Sequence, residues 1–168
     1  MTSLRTVLIL AALSGIATHA LAQREKLSLA DLRIVEERWP DAKKTPTGLR
    51  YVTLAEGEGE SPRSGDQVAI IYRGTFLDGT VFDEDWNRVR PFVFRLGRGL
   101  TIAGMDEGLK LTKPGGRIVL IIPPPLAYGT RGDPPRIQPN TTLIFEIELI
   151  DTRKGITLDP ASDSDGSS

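Results

Sequence analysis

The strongest constraint in this sequence is a two-residue period near its C-terminal end. Between Thr142 and Ile150, Leu143, Phe145, Ile147 and Leu149 fall on one side of an extended chain, and Glu146 and Glu148 on the other. That is the pattern of a strand with one buried face. Arg117 to Ile122 is a short apolar run that reads as a second, buried strand. Gln67 to Phe76 is rich in β-branched and aromatic residues, and Asp78-Gly79 supplies a hairpin turn before Thr80-Val81-Phe82. Leu49 to Leu54 and the alternation of Phe92, Phe94 and Leu96 add two more strands. Inside this β-rich region only Ile102 to Leu109 reads as a helix, and Lys113-Pro114-Gly115-Gly116 stops it. The expected fold is α+β, an antiparallel sheet with one short helix across a face.

Outside that region the chain changes character. Residues 23–45 form a charged extension in which Ser28 can cap a helix, with Asp31 three residues on as an approximate capping box. Leu29, Leu32, Val35 and Trp39 follow near the 3.6 period until Pro40. So short a helix must pack on something: its own domain, or a second copy of the chain. Residues 43–48 read as a linker, 46–153 as the domain, and 154–168, rich in Asp and Ser, as a disordered tail. Residues 123–141 hold six of the twelve prolines with Leu126, Tyr128 and Ile137 among them. A loop that long is usually functional or disordered, and the embedded apolar residues favour an ordered, functional one.

The first 22 residues have the form of a cleaved export leader. Arg5 precedes an apolar run from Val7 to Ile16, and Ala20-Leu21-Ala22 is a small-x-small cleavage site before Gln23. The run is shorter than the roughly 20 residues a membrane span needs. The expected mature protein is exported to the periplasm and has no membrane span. Losing those 22 residues from 168 leaves 146, with neither the single histidine, His19, nor any cysteine. His-dependent triads, Cys–His dyads and His- or Cys-ligated zinc are thereby excluded. With Lys+Arg at 21 and Asp+Glu at 22 in the whole chain, no basic excess exists to attract nucleic acid.

Most local motifs carry nothing. Gly57-Glu58-Gly59 and Gly97-Arg98-Gly99 complete no nucleotide-binding spacing. Asp83-Glu84-Asp85 lacks the alternation of a calcium loop, so no metal site is expected. What stands out is a group of large side chains near the turns: Tyr72, Phe82, Phe92, Ile102, Tyr128, Ile137 and Phe145, with Asp83 and Arg88 beside them in sequence. Pattern alone leaves open whether these are core or line an apolar pocket with a few polar groups.

A resemblance bears on that choice. YRGTFLDGTVFD at 72–83, RPFVFRLG at 90–97, IAGMDEGL at 102–109, LAYGTRG at 126–132 and NTTLIFEIELI at 140–150 follow the order and spacing of FKBP-type peptidyl-prolyl cis-trans isomerases. The resemblance covers about 105 of the 168 residues. It implies a sheet wrapped around one short helix, no cofactor, and an activity toward proline-containing polypeptides that needs no nucleophile. Tyr72, Phe82, Asp83, Phe92, Ile102, Tyr128, Ile137 and Phe145 match the residues lining the family's pocket. Leu100 and Thr101 match positions whose backbone meets the ligand, and Arg88 matches an arginine near the pocket aspartate. By this likeness Tyr128 positions a substrate carbonyl, and Asp83, steadied by Arg88, is its polar partner.

Two departures accompany it. Met105 stands where the family's pocket floor is usually tryptophan, and Asp133 and Arg136 occupy positions that are often apolar or aromatic. Methionine keeps the floor apolar and adaptable, so activity is expected to survive better than tight binding of tacrolimus or rapamycin. The alternatives are a non-catalytic chaperone or protein-binding module of the same fold and, more remotely, an unrelated β-rich hydrolase using carboxylates.

Overall fold

The computed structural model describes residues 25–155; the leader and nearly all of the tail lie outside them. The chain runs α1 (Leu29–Arg38), β1 (Lys43–Lys44), β2 (Arg50–Ala55), β3 (Gln67–Thr75), β4 (Val81–Asp85), β5 (Phe92–Arg95), α2 (Ala103–Leu109), β6 (Arg117–Ile122) and β7 (Leu143–Arg153). All strand pairings are antiparallel, in the order β1-β2-β6-β7-β3-β4, with β5 also on β3. The expected α+β sheet and its single packed helix are therefore present.

One face of the sheet carries the main core. Val68, Ile70, Phe94, Leu96, Met105, Leu109, Ile118, Leu120, Ile122, Phe145 and Ile147 are all buried in it. The helix α2 lies close on β6 because Gly104 and Gly108, one turn apart, have no side chains there. A Cβ at Gly104 would come within 2.4 Å of Ile122 Cγ2, and one at Gly108 within 2.3 Å of Leu120 Cδ1. Thr101 Oγ1 and the Gly97 N–H both donate to the Asp106 carboxylate, at 2.9 and 3.2 Å, which fixes the loop entering the helix.

The other face is covered by α1. Leu27, Val35, Val119, Ile121 and Ile144 form a second cluster, joined by Leu32 and Trp39. Within the chain the extension packs on its own domain. The Ser28 hydroxyl accepts from the Asp31 N–H at 3.0 Å, as expected, but the Asp31 carboxylate takes a hydrogen bond from Thr142 Oγ1 (2.7 Å) and so ties the helix to the start of β7. Leu29, expected on the apolar face, is 77% exposed. Leu27, just before the cap, is buried with Leu32 in its place, as in a hydrophobic staple. The stretch read as a linker is also more structured than expected, since Lys43 and Lys44 pair with Tyr51 and Arg50.

Glu25 anchors the chain ahead of α1. Its carboxylate accepts from Lys44 Nζ (2.7 Å), Arg50 Nη2 (2.8 Å) and the Lys26 and Leu27 N–H groups. Burial alone would raise its pKa, but the hydrogen bonds from Lys44, Leu27 and Arg50 outweigh that and hold it at about 2, against an ordinary 4.5. A depressed carboxylate stabilises the fold above its unfolded pKa, and this contribution is lost as pH falls toward the folded value. Glu25→Gln should therefore be less stable than the parent at pH 7, by about 1–2 kcal/mol. In urea melts the two should converge as pH drops from about 5 to about 2. A gap that persists at pH 2 would contradict this role.

Candidate functional site

The candidate residues come from β3, β4, β5, the start of α2, the 123–141 loop and β7, and most of them lie in or against one core cluster. Gly74 on β3 lies opposite Asp83 on β4 and Phe145 on β7. It must be glycine: a Cβ would stand 2.7 Å from Phe82 and 3.0 Å from Phe145. The space it leaves admits a cluster of rings. Phe82 and Phe145 meet edge-to-face, with centroids 5.5 Å apart at 86°. Tyr72 lies 6.0 Å from Phe145 and 6.2 Å from Phe92. Phe76, which the sequence reading did not single out, extends the cluster at 4.9 Å from Phe82. Such tilted and edge-on contacts are the favoured aromatic geometries.

Met105, Ile137 and Phe145 are buried within the main core, while Tyr72, Phe82, Ile102, Leu126 and Tyr128 are only partly covered against it. Met105 comes from the first turns of α2, with 5% exposure. Phe92, at 37% exposure, stands at the rim. Thus the group is part core and part surface: its inner members are buried and its outer members are partly exposed. Leu100 is further out, at 64% exposure, and the Thr101 hydroxyl is turned to Asp106, so neither side chain joins the ring cluster by a described contact.

The long proline-rich stretch is ordered, as expected. Pro124–Leu126 is a turn of 3-10 helix. Asp133 and Ile137 then exchange two backbone hydrogen bonds, at 2.8 and 2.9 Å, around a cis Pro134–Pro135 bond. This plugs Ile137 into the core and carries Tyr128 to the pocket edge. Burial raises the pKa of the Tyr128 hydroxyl, with Asp133 and Asp83 adding to the effect against the opposing charge of Arg136. The Tyr72 hydroxyl donates to Asp83 Oδ2 at 3.2 Å. Burial and the Asp83 carboxylate push its pKa up to about 12. Both phenols are thus held as neutral donors at any ordinary pH.

Arg88 does not steady Asp83. Its guanidinium donates instead to both carboxylate oxygens of Glu148, at 2.6 and 2.7 Å. Glu148 is only 8% exposed on the α1 side of the sheet, and a carboxylate buried that far requires a cation. The cation within ion-pair reach of Asp83 is Arg136, 3.9 Å from Oδ2. Arg136 was noted in the sequence only as a charge at an unusual place; its reach to Asp83 comes from the loop closure at Ile137, which the sequence does not signal. Glu148 was missed because strand alternation assigns it to the solvent side.

Among the described residues no group of His, Cys, Asp and Glu side chains could hold a metal ion, and no helix is long and apolar enough to cross a membrane. What the site gathers is a partly exposed cluster of rings with the Tyr72 and Tyr128 phenols and the Asp83 carboxylate, which has Arg136 3.9 Å away.

Comparison with known proteins agrees with that description. The model of the FKBP-type peptidyl-prolyl cis-trans isomerase family matches residues 58–150. The chain is 44% identical over 123 residues to the FKBP-type peptidyl-prolyl cis-trans isomerase FkpA of Escherichia coli (strain K12), covering 73% of this chain and 44% of that protein. It is also 44% identical over 104 residues to the peptidyl-prolyl cis-trans isomerase Fkbp12 of Drosophila melanogaster, covering 61% of this chain and 96% of that one. The crystal structure of FkpA from Escherichia coli aligns with a TM-score of 0.65 at 38% identity, over 91% of this chain and 74% of that one. The chain therefore spans under half the length of the curated FkpA relative while matching Fkbp12 almost end to end. On the family match and the fold together, this chain belongs to the FKBP-type peptidyl-prolyl cis-trans isomerase family.

Proposed function

We propose that this protein accelerates cis-trans rotation about X-Pro bonds in exported polypeptides and so assists their folding. The observation that carries the reading is the ring cluster, in which Phe82 and Phe145 crowd Gly74, Tyr72 lies 6.0 Å from Phe145, and Met105 and Ile137 are buried in the same core. Rotation about a peptide bond faces a barrier of about 18–20 kcal/mol, because resonance gives the C–N bond double-bond character. X-Pro bonds populate both isomers and exchange over tens to hundreds of seconds. No bond is made or broken, so a site without histidine, cysteine or metal is sufficient.

The planar amide is charge-separated and well solvated in water; twisting it removes the resonance and much of that charge separation. A dry, apolar recess disfavours the planar form more than the twisted one and so lowers the barrier. In this reading Phe82, Phe92, Ile102, Met105, Ile137 and Phe145 enclose the proline ring, and the backbone at Leu100 and Thr101 meets the flanking peptide. Tyr128 donates to the substrate carbonyl, and Asp83, which accepts the Tyr72 hydroxyl, makes the polar contact with the twisted carbonyl. Tyr128→Phe should lower kcat/KM about threefold to tenfold, the loss of one neutral hydrogen bond, with the urea midpoint unchanged. An unchanged kcat/KM would remove Tyr128 from the mechanism.

The test of the reading is a protease-free assay of X-Pro exchange in short peptides, with and without rapamycin. Catalysis is expected, with inhibition weaker than a tryptophan floor would give because Met105 is smaller and less rigid. The second reading, a non-catalytic binding module, is favoured by the charged Asp133 and Arg136 at the mouth; a folded protein that holds proline peptides without accelerating exchange would establish it. Export to the periplasm rests on the leader, which lies outside the described residues, and N-terminal sequencing of the secreted protein should begin at Gln23. Pairing of two copies through α1 would have to use what that helix leaves outside, chiefly Leu29 and Ile34. A Leu29→Glu change that leaves the sedimentation coefficient unaltered would remove that interface.

A further inference from the structure

The pocket aspartate is held by a cation other than the one the family pattern implies. Arg88 is committed to Glu148, whose side chain is 11% exposed, and withdrawing the arginine would leave a nearly buried carboxylate unpaired. Arg136 takes up the position at Asp83. Its Nη2 donates to Asp133 Oδ2 at 3.1 Å, and its Nη1 lies 3.9 Å from Asp83 Oδ2, the same oxygen that accepts the Tyr72 hydroxyl.

The backbone on either side of Arg136 is fixed. Asp133 and Ile137 are paired through two backbone hydrogen bonds, and Ile137 is 1% exposed in the core. Gly132 has φ +67°, and a Cβ there would meet the Ile137 carbonyl oxygen at 2.6 Å. The loop therefore cannot move toward or away from β4 without unplugging Ile137, and the guanidinium is presented to Asp83 from a rigid base. One cation thus links Asp83 on β4 to the loop that carries Tyr128.

We propose that Arg136 is the positioning residue for Asp83, doing from the 133–137 loop what Arg88 does not do from the β4–β5 connection. The proposal rests on the isomerase reading of the pocket for its effect on rate, but its geometry can be tested separately. It gives the charge at Arg136 a role in orienting the carboxylate that faces the substrate, with Asp133 holding the far side of the same guanidinium.

The experiment is a double-mutant cycle in the purified protein, with an NMR readout beside the rate. Arg136→Leu should lower kcat/KM about threefold to fivefold, as befits a half-exposed ion pair. The effect should disappear in the Asp83→Asn background and be partly restored by Arg136→Lys. Raising the salt from about 0.02 M to about 0.5 M should shrink the difference between parent and Arg136→Leu, since that contact is open to screening. By contrast, the effects of Arg88→Leu and Asp83→Asn should simply multiply. In the NMR spectrum the Arg136 Nε–H signal should move on Asp83→Asn while that of Arg88 stays, and Glu148→Gln should do the reverse. An Arg136 signal indifferent to Asp83→Asn, or an Arg136→Leu loss of equal size in both backgrounds, overturns the proposal. A parent protein with no catalysis but with the NMR coupling intact overturns the isomerase reading and leaves the positioning contact standing.

Discussion

Phe145→Ala should cost about 3–5 kcal/mol of unfolding free energy, the range for deleting a buried phenylalanine, and should abolish measurable isomerisation. Phe145 is 4% exposed and sits on β7 opposite Gly74 on one neighbouring strand and Leu120 on the other. It touches both Phe82 and Tyr72, so its removal opens a cavity beneath the two rings that wall the recess. Because Gly74 has no side chain, the strand beside the cavity has nothing to fill it with. Domains of this size are stable by only about 5–15 kcal/mol, so the loss should be plain as a lower urea midpoint. Phe92→Ala is the contrast, since Phe92 stands at the rim: it should lose activity while giving up far less stability. Equal stability losses for the two would mean that the pocket wall and the core are not the same residues at Phe145.

Asp83→Ala should have the opposite signature, with kcat/KM falling about 10- to 100-fold and the urea midpoint nearly unchanged. That is the range for losing one hydrogen bond to a charged group, about 1.5–3 kcal/mol. The carboxylate is partly exposed, and its contacts are the Tyr72 hydroxyl at 3.2 Å and the Arg136 guanidinium at 3.9 Å. Neither neighbour is buried deeply enough to suffer much from its loss. Steady-state kinetics on a proline peptide, with the melt run on the same preparation, separates the two effects. A variant as active as the parent would confine Asp83 to a structural part.

Much of this architecture is legible in the residues because local chemistry and final environment agree. The alternation from Leu143 to Leu149 becomes a strand whose Phe145, Ile147 and Leu149 are buried, and Ser28 caps α1 as its type suggests. Alternation says which side a residue is on, but not whether that side faces water. Glu148 points to the other face from Ile147 and is nonetheless buried, with the Arg88 side chain paired to it there. For the same reason the sequence could not tell that Leu27 rather than Leu29 would sit under α1: the choice depends on the angle at which the helix meets β6 and β7. The ring positions followed from the family resemblance, whereas the cation near Asp83 did not. Arg88 and Arg136 are 48 residues apart in sequence, and only the closure of the Asp133–Ile137 loop decides which of them reaches the carboxylate.

If an apolar site lowers the rotational barrier, it does so without any proton being transferred. NMR exchange measurements on an X-Pro peptide with the purified protein from pH 5 to pH 9 decide this. With Tyr72 held as a neutral donor up to about pH 12 and no histidine among residues 25–155, the exchange should be accelerated equally across that range and show a solvent isotope effect near one. A bell-shaped profile or a twofold isotope effect would put a proton in flight and contradict the mechanism. No acceleration at any pH by folded protein would contradict the function.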